Sequence, residues 1–296
     1  MTLPIYAVVY QMGKVASTSL VATLDSLPGV TAVQSHFLGE ALLQEILPSL
    51  VNPAQSDYFH AHQLGQFKLN IEVTRRINMI LSGHRAERLL ILSLTRDPLD
   101  WFRSSLVQDM QGYAPDLLTY GARHGLGGDS DDARITAALP DLIGHFAALL
   151  DSRGGIDAYF EQRRQGKDEG FEGTRIEADP LLQQIFRMML RPYTWFEHHF
   201  ERARGFRLSE MDHDGAVYTR HDVRADYLIL RYEDIDTVFI PAMAALGLTV
   251  PARLQEKNLS AQKAFAEATR AAFATEAGSA LAFLARRSAY ARRFRY

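Results

Sequence analysis

Apolar and polar positions along this chain switch between two periods, and the switches predict an α/β fold. Residues 5–10 form a short apolar run of strand-forming side chains, after which Leu20, Leu24 and Leu27 recur at helical spacing. A buried strand therefore passes into an amphipathic helix through residues 11–19. Leu27, Pro28 and Gly29 stop that helix, and residues 30–38 (VTAVQSHFL) predict a second strand with His36 near its C-terminal end. A helix over residues 40–50 closes at Asn52 and Pro53. Residues 57–64 (DYFHAHQL) fit either a short strand or the start of a helix that is clear from about 69 to 81. Residues 88–95 (RLLILSLT) are almost continuously apolar and β-prone, as a central parallel strand covered on both faces should be. Residues 226–232 (DYLILRY) predict another buried strand, followed by a helix that carries Ile240 and Leu246.

The middle and the end of the chain carry weaker patterns. Residues 121–134 hold four Gly and three Asp and predict a mobile connection, and residues 139–150 predict an amphipathic helix. Residues 154–180 are polar and Gly-punctuated except at Phe160 and Phe171, and read either as an insertion over an acceptor site or as a solvated excursion. Residues 181–202 are helical by pattern, with Pro192 expected to divide them. Tyr193, Trp195 and Phe196 on that stretch fit core better than a sugar-stacking platform. Lys257, Asn258, Leu259, Ser260 and Lys263 precede a final helical region that ends in Arg292, Arg293 and Arg295. That basic end reads as a solvated helix terminus, with contact to an anionic glycan as the alternative. The expected whole is one three-layer α/β domain with a mainly parallel central sheet, an insertion or lid at about 121–180 and a helical C-terminal region at about 258–296.

Composition narrows the chemistry. A chain of 296 residues, 47% hydrophobic, buries a substantial core. A net charge of −3 gives no general attraction to nucleic acid or to an anionic membrane. The absence of cysteine excludes disulfides, thiol catalysis and cysteine-ligated metals. No apolar run approaches the ~18 residues of a membrane span, and the first strand starts too early for a signal peptide, so the expected location is cytoplasmic.

The loop after the first strand is the first candidate site. It contains Gly13, which permits close backbone approach, then Lys14, Val15 and the small run Ala16, Ser17, Thr18 and Ser19 at the helix start. Amides at a helix N-terminus favour an anion, and the hydroxyls and the lysine add donors and charge. The same segment fits an ordinary strand-to-helix turn, since it lacks the G-x-x-x-x-G-K-[ST] order of a full P-loop. The second candidate is TRDPLDWFRSSL after the third strand. Asp97 suits an N-cap and Pro98 the first helical position, so the helix starts just after Arg96. Ser104, two turns on, returns to nearly the face of Asp97, and Arg96 and Ser104 can converge on one anion. A buried ion pair for Arg96 is the competing reading.

Together these stretches resemble the sulfotransferases that use 3′-phosphoadenylyl sulfate (PAPS). MGKVASTSL, SHFL, LTRDPLDWFRSS, YTWFEHHF and LILRYEDI are most similar to the bacterial branch assigned to capsular polysaccharide synthesis, over about residues 5–270. The resemblance implies a P-loop-like fold, residues 11–19 around the 5′-phosphosulfate, and Arg96 and Ser104 on the 3′-phosphate. It implies a carbohydrate acceptor and a structural role for the Tyr-Glu-Asp turn at Tyr232. Two departures stand out: Ala16 where many relatives carry Gly, harmless only if the position needs no positive φ, and His198-His199 where an acidic or lysine-bearing helix is expected.

Sulfuryl transfer needs a base, charge on the leaving phosphate and in-line positioning, and no metal is expected. Lys14 is the expected contact to the bridging and leaving oxygens. His36 is the expected base, with His60 and His62 as rivals; their His-x-His spacing lacks a clear third metal ligand. An ATP-dependent kinase and a nucleotide-binding protein without turnover are the alternative readings.

Overall fold

The structure, a computed structural model, describes residues 3–51, 61–166, 171–174, 176–177, 179–252, 254 and 265–296. They fall into two compact units, one comprising Met1–Arg96 with Thr194–Lys257 and the other Asp97–Tyr193 with Asn258–Tyr296.

The first unit is built on a six-stranded, mainly parallel sheet flanked by helices, in the order β2-β1-β3-β6-β5-β4. β1 (Ile5–Tyr10) lies between β2 (Val30–Ser35) and β3 (Arg88–Thr95), and β3 pairs in parallel with β6 (Ala225–Arg231). β5 (Val217–His221) and β4 (Asp212–Asp214) extend the far edge as an antiparallel pair. The apolar runs of β1, β3 and β6 are buried almost throughout, which is why these three are central and why alternation is absent from their sequences. Neither β5 nor β4 is marked by an apolar run: DHD is wholly exposed at the sheet edge, and VYTRH beside it is short and fully buries only Tyr218. α1 (Ser17–Asp25) packs on β1 and β2, α3 (Ala61–Leu81) on β2 and β3, and α9 (Ile235–Ala245) on β6, while α2 (Glu40–Val51) packs on α3.

Several expected boundaries move. The second strand ends at Ser35, so His36 stands just beyond it. Residues 61–64 are the first turn of α3 and not part of a strand; His60 and the rest of that ambiguous stretch lie outside the described residues. Pro192 does not divide its helix: α7 runs Pro180–Trp195 and is followed by a π-helical turn, Phe196–Glu201, and by the short α8, Arg202–Arg204. Met189, Leu190, Trp195 and Phe196 are buried around the proline, and that packing outweighs one lost backbone bond. Trp195 and Phe196 are core residues, as their pattern suggested.

The second unit is helical. α4 (Pro98–Arg123) starts where expected: Asp97 accepts from Leu99 N at 2.9 Å and Asp100 N at 3.0 Å, and Pro98 follows it. α5 runs Asp131–Ser152, capped by Ser130, so the Gly- and Asp-rich connection shrinks to residues 124–130. α5 packs against α4, α10 (Ala266–Phe273) and α11 (Glu276–Arg286). By length and composition α5 could cross a bilayer, but half of its apolar window is buried within the protein. α6 (Ile156–Arg164) fills part of the stretch read as an insertion, with Ile156, Tyr159 and Phe171 buried, and α12 (Ala289–Phe294) closes the chain.

Candidate functional site

In an open parallel sheet the carboxyl ends of the strands are where ligands bind. Here the residues immediately beyond the four parallel strands are Gln11, His36, Arg96 and Tyr232, all in the first unit. They meet around one loop. Gln11, fully buried, turns its side-chain oxygen back to accept from Gly13 N at 2.5 Å. His36 pairs its Nδ1 with the Gln11 carbonyl at 3.0 Å. Arg96 donates from Nη1 to the Lys14 carbonyl at 2.6 Å and lays its guanidinium 4.7 Å from the centre of the Tyr232 ring.

These contacts hold a strained backbone. Gly13 (φ 86), Lys14 (φ 57) and Ala16 (φ 57) are all left-handed. Ala16 therefore stands where the backbone does need positive φ, and the expectation that alanine is harmless there fails: a non-glycine residue in that conformation costs about 1–3 kcal/mol. Successive amides in such a conformation form a concave nest for anions, and α1 adds its first-turn amides directly after it. Ala16 is the N-cap and supplies no side-chain acceptor to those amides. Gly13 and Lys14 are half-buried and Val15 is fully buried. Ser17 and Ser19 are also buried, whereas Thr18 is exposed and lines a surface depression with Gln34, Asp25 and Ser26.

His36 has both ring nitrogens engaged. A carbonyl can only accept, so Nδ1 carries the proton toward Gln11 O. Nε2 is then the lone-pair nitrogen, and the Gln34 amide nitrogen donates to it at 2.9 Å. The ring lies against Gly13, where a Cβ would come 3.9 Å from His36 Cε1. The His199 ring on the π-helical turn stacks on Trp195 (5.8 Å) and tilts toward Phe37, the residue after His36 (6.0 Å), while His198 is exposed. A π turn is an insertion that often re-aims side chains at functional sites.

The structure thus gathers Gly13, Lys14, Val15, Ala16, Ser17, Thr18, Ser19, His36 and Arg96 in one unit. Ser104 stands half-buried on α4 in the second unit. His62 is on the first turn of α3. Among the described residues no group of three or more His, Cys, Asp or Glu side chains is arranged as a metal site. Sequence reasoning missed Gln34; it took Gln11 only as part of the 11–19 loop and Tyr232 only as a structural turn, without the contacts either makes. The usable signal for Gln11 was position, as the first residue after a predicted strand, whereas Tyr232 was read as the last residue of its strand and stands just beyond the observed β6. Compared with family models, curated proteins and solved structures, the chain finds no match.

Proposed function

We propose that this protein is a PAPS-dependent sulfotransferase of P-loop-like, three-layer architecture, acting in the cytoplasm on a hydroxyl of a carbohydrate acceptor. The observation that carries the reading is the left-handed loop at Gly13, Lys14 and Ala16, opening directly onto the N-terminus of α1 and braced by His36 and Arg96 from neighbouring strand ends. Such a loop suits a phosphosulfate because its amides are fixed before the ligand arrives, so no reorganisation is needed when charge develops. Lys14 supplies the positive charge that stabilises the leaving phosphate. Arg96, through its planar fork, suits the 3′-phosphate. In the transfer step the acceptor oxygen attacks sulfur, its proton passes to a base, and the bond from sulfur to the phosphate oxygen breaks to release adenosine 3′,5′-bisphosphate.

His36 is the proposed base. Its Nδ1–H···O=C bond fixes the tautomer that leaves Nε2 as acceptor, the arrangement a general base needs. An acceptor hydroxyl reaches Nε2 by replacing the Gln34 amide. His36→Ala should depress turnover by about a hundredfold or more while leaving affinity for the product nucleotide within about threefold. A fully active variant would move the base to another group.

The same Gln34 contact is the specific observation favouring a second reading, a nucleotide-binding protein without turnover, in which His36 only props the loop. Tight donor binding with no transfer to any glycan, and an effect of His36→Ala confined to donor affinity or stability, would select it. A magnesium requirement with preference for ATP would instead select a kinase.

A further inference from the structure

Arg204 is the last residue of α8 and lies beside the end of β1. Register puts Val8, Ile91 and Tyr227 in one row across the sheet, so alternation turns Tyr10, two residues beyond Val8, to the same face as Tyr227. Arg204 sits under that face. The Tyr227 hydroxyl is hydrogen-bonded to its guanidinium, and Tyr10 is its other close electrostatic neighbour. The backbone of the preceding residue, Ala203, packs where a Cβ on Gly39 would sit only 3.5 Å away, which puts α8 against the segment just after His36.

No carboxylate among the described residues pairs with Arg204. Glu201, one turn earlier, accepts instead from Leu208 N at 2.8 Å. Burial pushes both phenols, Tyr10 and Tyr227, above their ordinary pKa, so neither supplies a counter-charge. The same burial lowers the pKa of the Arg204 guanidinium, and its Nε is fully enclosed with no hydrogen-bond partner. Buried charges are normally paired, and a buried N–H without an acceptor is rare enough to call for one. The carbonyl end of the helix offsets some of the charge, yet it does not supply an acceptor to Nε. Part of the residue reaches the surface.

We propose that Arg204, with the Tyr227 and Tyr10 hydroxyls, forms an anion-binding site separate from the Gly13–Lys14 loop, which takes a compact oxyanion such as sulfate or a sugar-borne carboxylate. The planar fork matches two oxygens of such a group, and the two phenols add donors that a neutral ligand would not need. The site does not depend on the sulfotransferase reading.

The test is thermal unfolding of the full chain with sodium sulfate titrated at constant ionic strength, for wild type, Arg204→Met, Arg204→Lys, Tyr227→Phe and Lys14→Ala. The wild-type midpoint should rise saturably with sulfate. Lys14→Ala should keep a saturable rise, and Arg204→Met should remove the part of the rise that Lys14→Ala keeps, with Arg204→Lys weakening that part by about tenfold in apparent affinity. Should Arg204→Met not fold, Tyr227→Phe decides, with an expected weakening of about threefold to tenfold. Methyl β-glucuronide and neutral methyl β-glucoside separate the sources. Stabilisation by sulfate alone assigns a free oxyanion, and stabilisation by the glucuronide as well assigns a carboxylate on sugar. Equal sulfate response in wild type and Arg204→Met, unchanged response in Tyr227→Phe when Arg204→Met does not fold, or loss of the response in Lys14→Ala, would overturn the proposal.

Discussion

Ala16 is where a single residue says most about the loop. Its φ of 57 is one that glycine adopts without a Cβ clash, so Ala16→Gly should stabilise the protein by about 1 kcal/mol in urea denaturation despite the extra freedom it gives the unfolded chain. Destabilisation would mean that the loop is not left-handed there. Gly13→Ala should do the reverse and lose about 1 kcal/mol or more, since φ 86 is equally unfavourable for alanine. Arg96 is the other informative position, because the structure gives it one task and the proposed function would add a second. As a strut it bonds the Lys14 carbonyl and stacks on Tyr232, and as a ligand it would meet the 3′-phosphate. Arg96→Ala should cost about 1.5–3 kcal/mol of stability from the lost charged hydrogen bond. It should also weaken adenosine 3′,5′-bisphosphate by about tenfold more than adenosine 5′-phosphate, measured by calorimetry. Equal weakening of both nucleotides would leave Arg96 as strut alone.

Between elements, the connection from α3 to β3 carries the clearest pH-dependent contact. Glu87 accepts from Arg76 at 2.7 Å and from Arg85 at 2.7 Å, and those bonds, Arg85 first, lower its carboxyl pKa from 4.5 to about 2. A carboxyl depressed on folding stabilises the native state above its unfolded pKa and loses that contribution as pH falls toward the folded one. Glu87→Gln should therefore cost about 1–2 kcal/mol at pH 7, with the gap to wild type closing between about pH 4.5 and pH 2. A gap that stays constant over that range would contradict the contact. This junction also shows how far elements were legible. The third strand was plain because eight nearly continuous apolar residues leave no other period, and its Asp97-Pro98 ending fixed the next helix. The β4–β5 pair was not, since the edge strand β4 is wholly exposed and its neighbour β5 fully buries only Tyr218. α7 defeated the proline rule because tertiary packing decided a position where local chemistry pointed to a break. In the site, Lys14, His36 and Arg96 were legible as residues. What they touch was not, because the pairing of His36 with Gln11 and of Tyr232 with Arg96 depends on strand order, and that of Gln34 with His36 on the backbone path just past β2.

Across the whole molecule, the unit that carries the sheet holds the loop, the histidine and the arginine, and the other unit holds Ser104 and most of the helices. The account rests on one claim, that the carboxyl edge of the β2-β1-β3-β6 sheet is a site for a 3′-phosphorylated nucleotide. Calorimetric titration of the full chain with adenosine 3′,5′-bisphosphate, against ADP and ATP, with and without magnesium, tests it most directly. The account predicts tight binding of the bisphosphate that needs no metal, weakens by about tenfold or more without the 3′-phosphate, and is largely lost in Lys14→Ala. Preference for ATP with magnesium, or binding of none of the three, would contradict it.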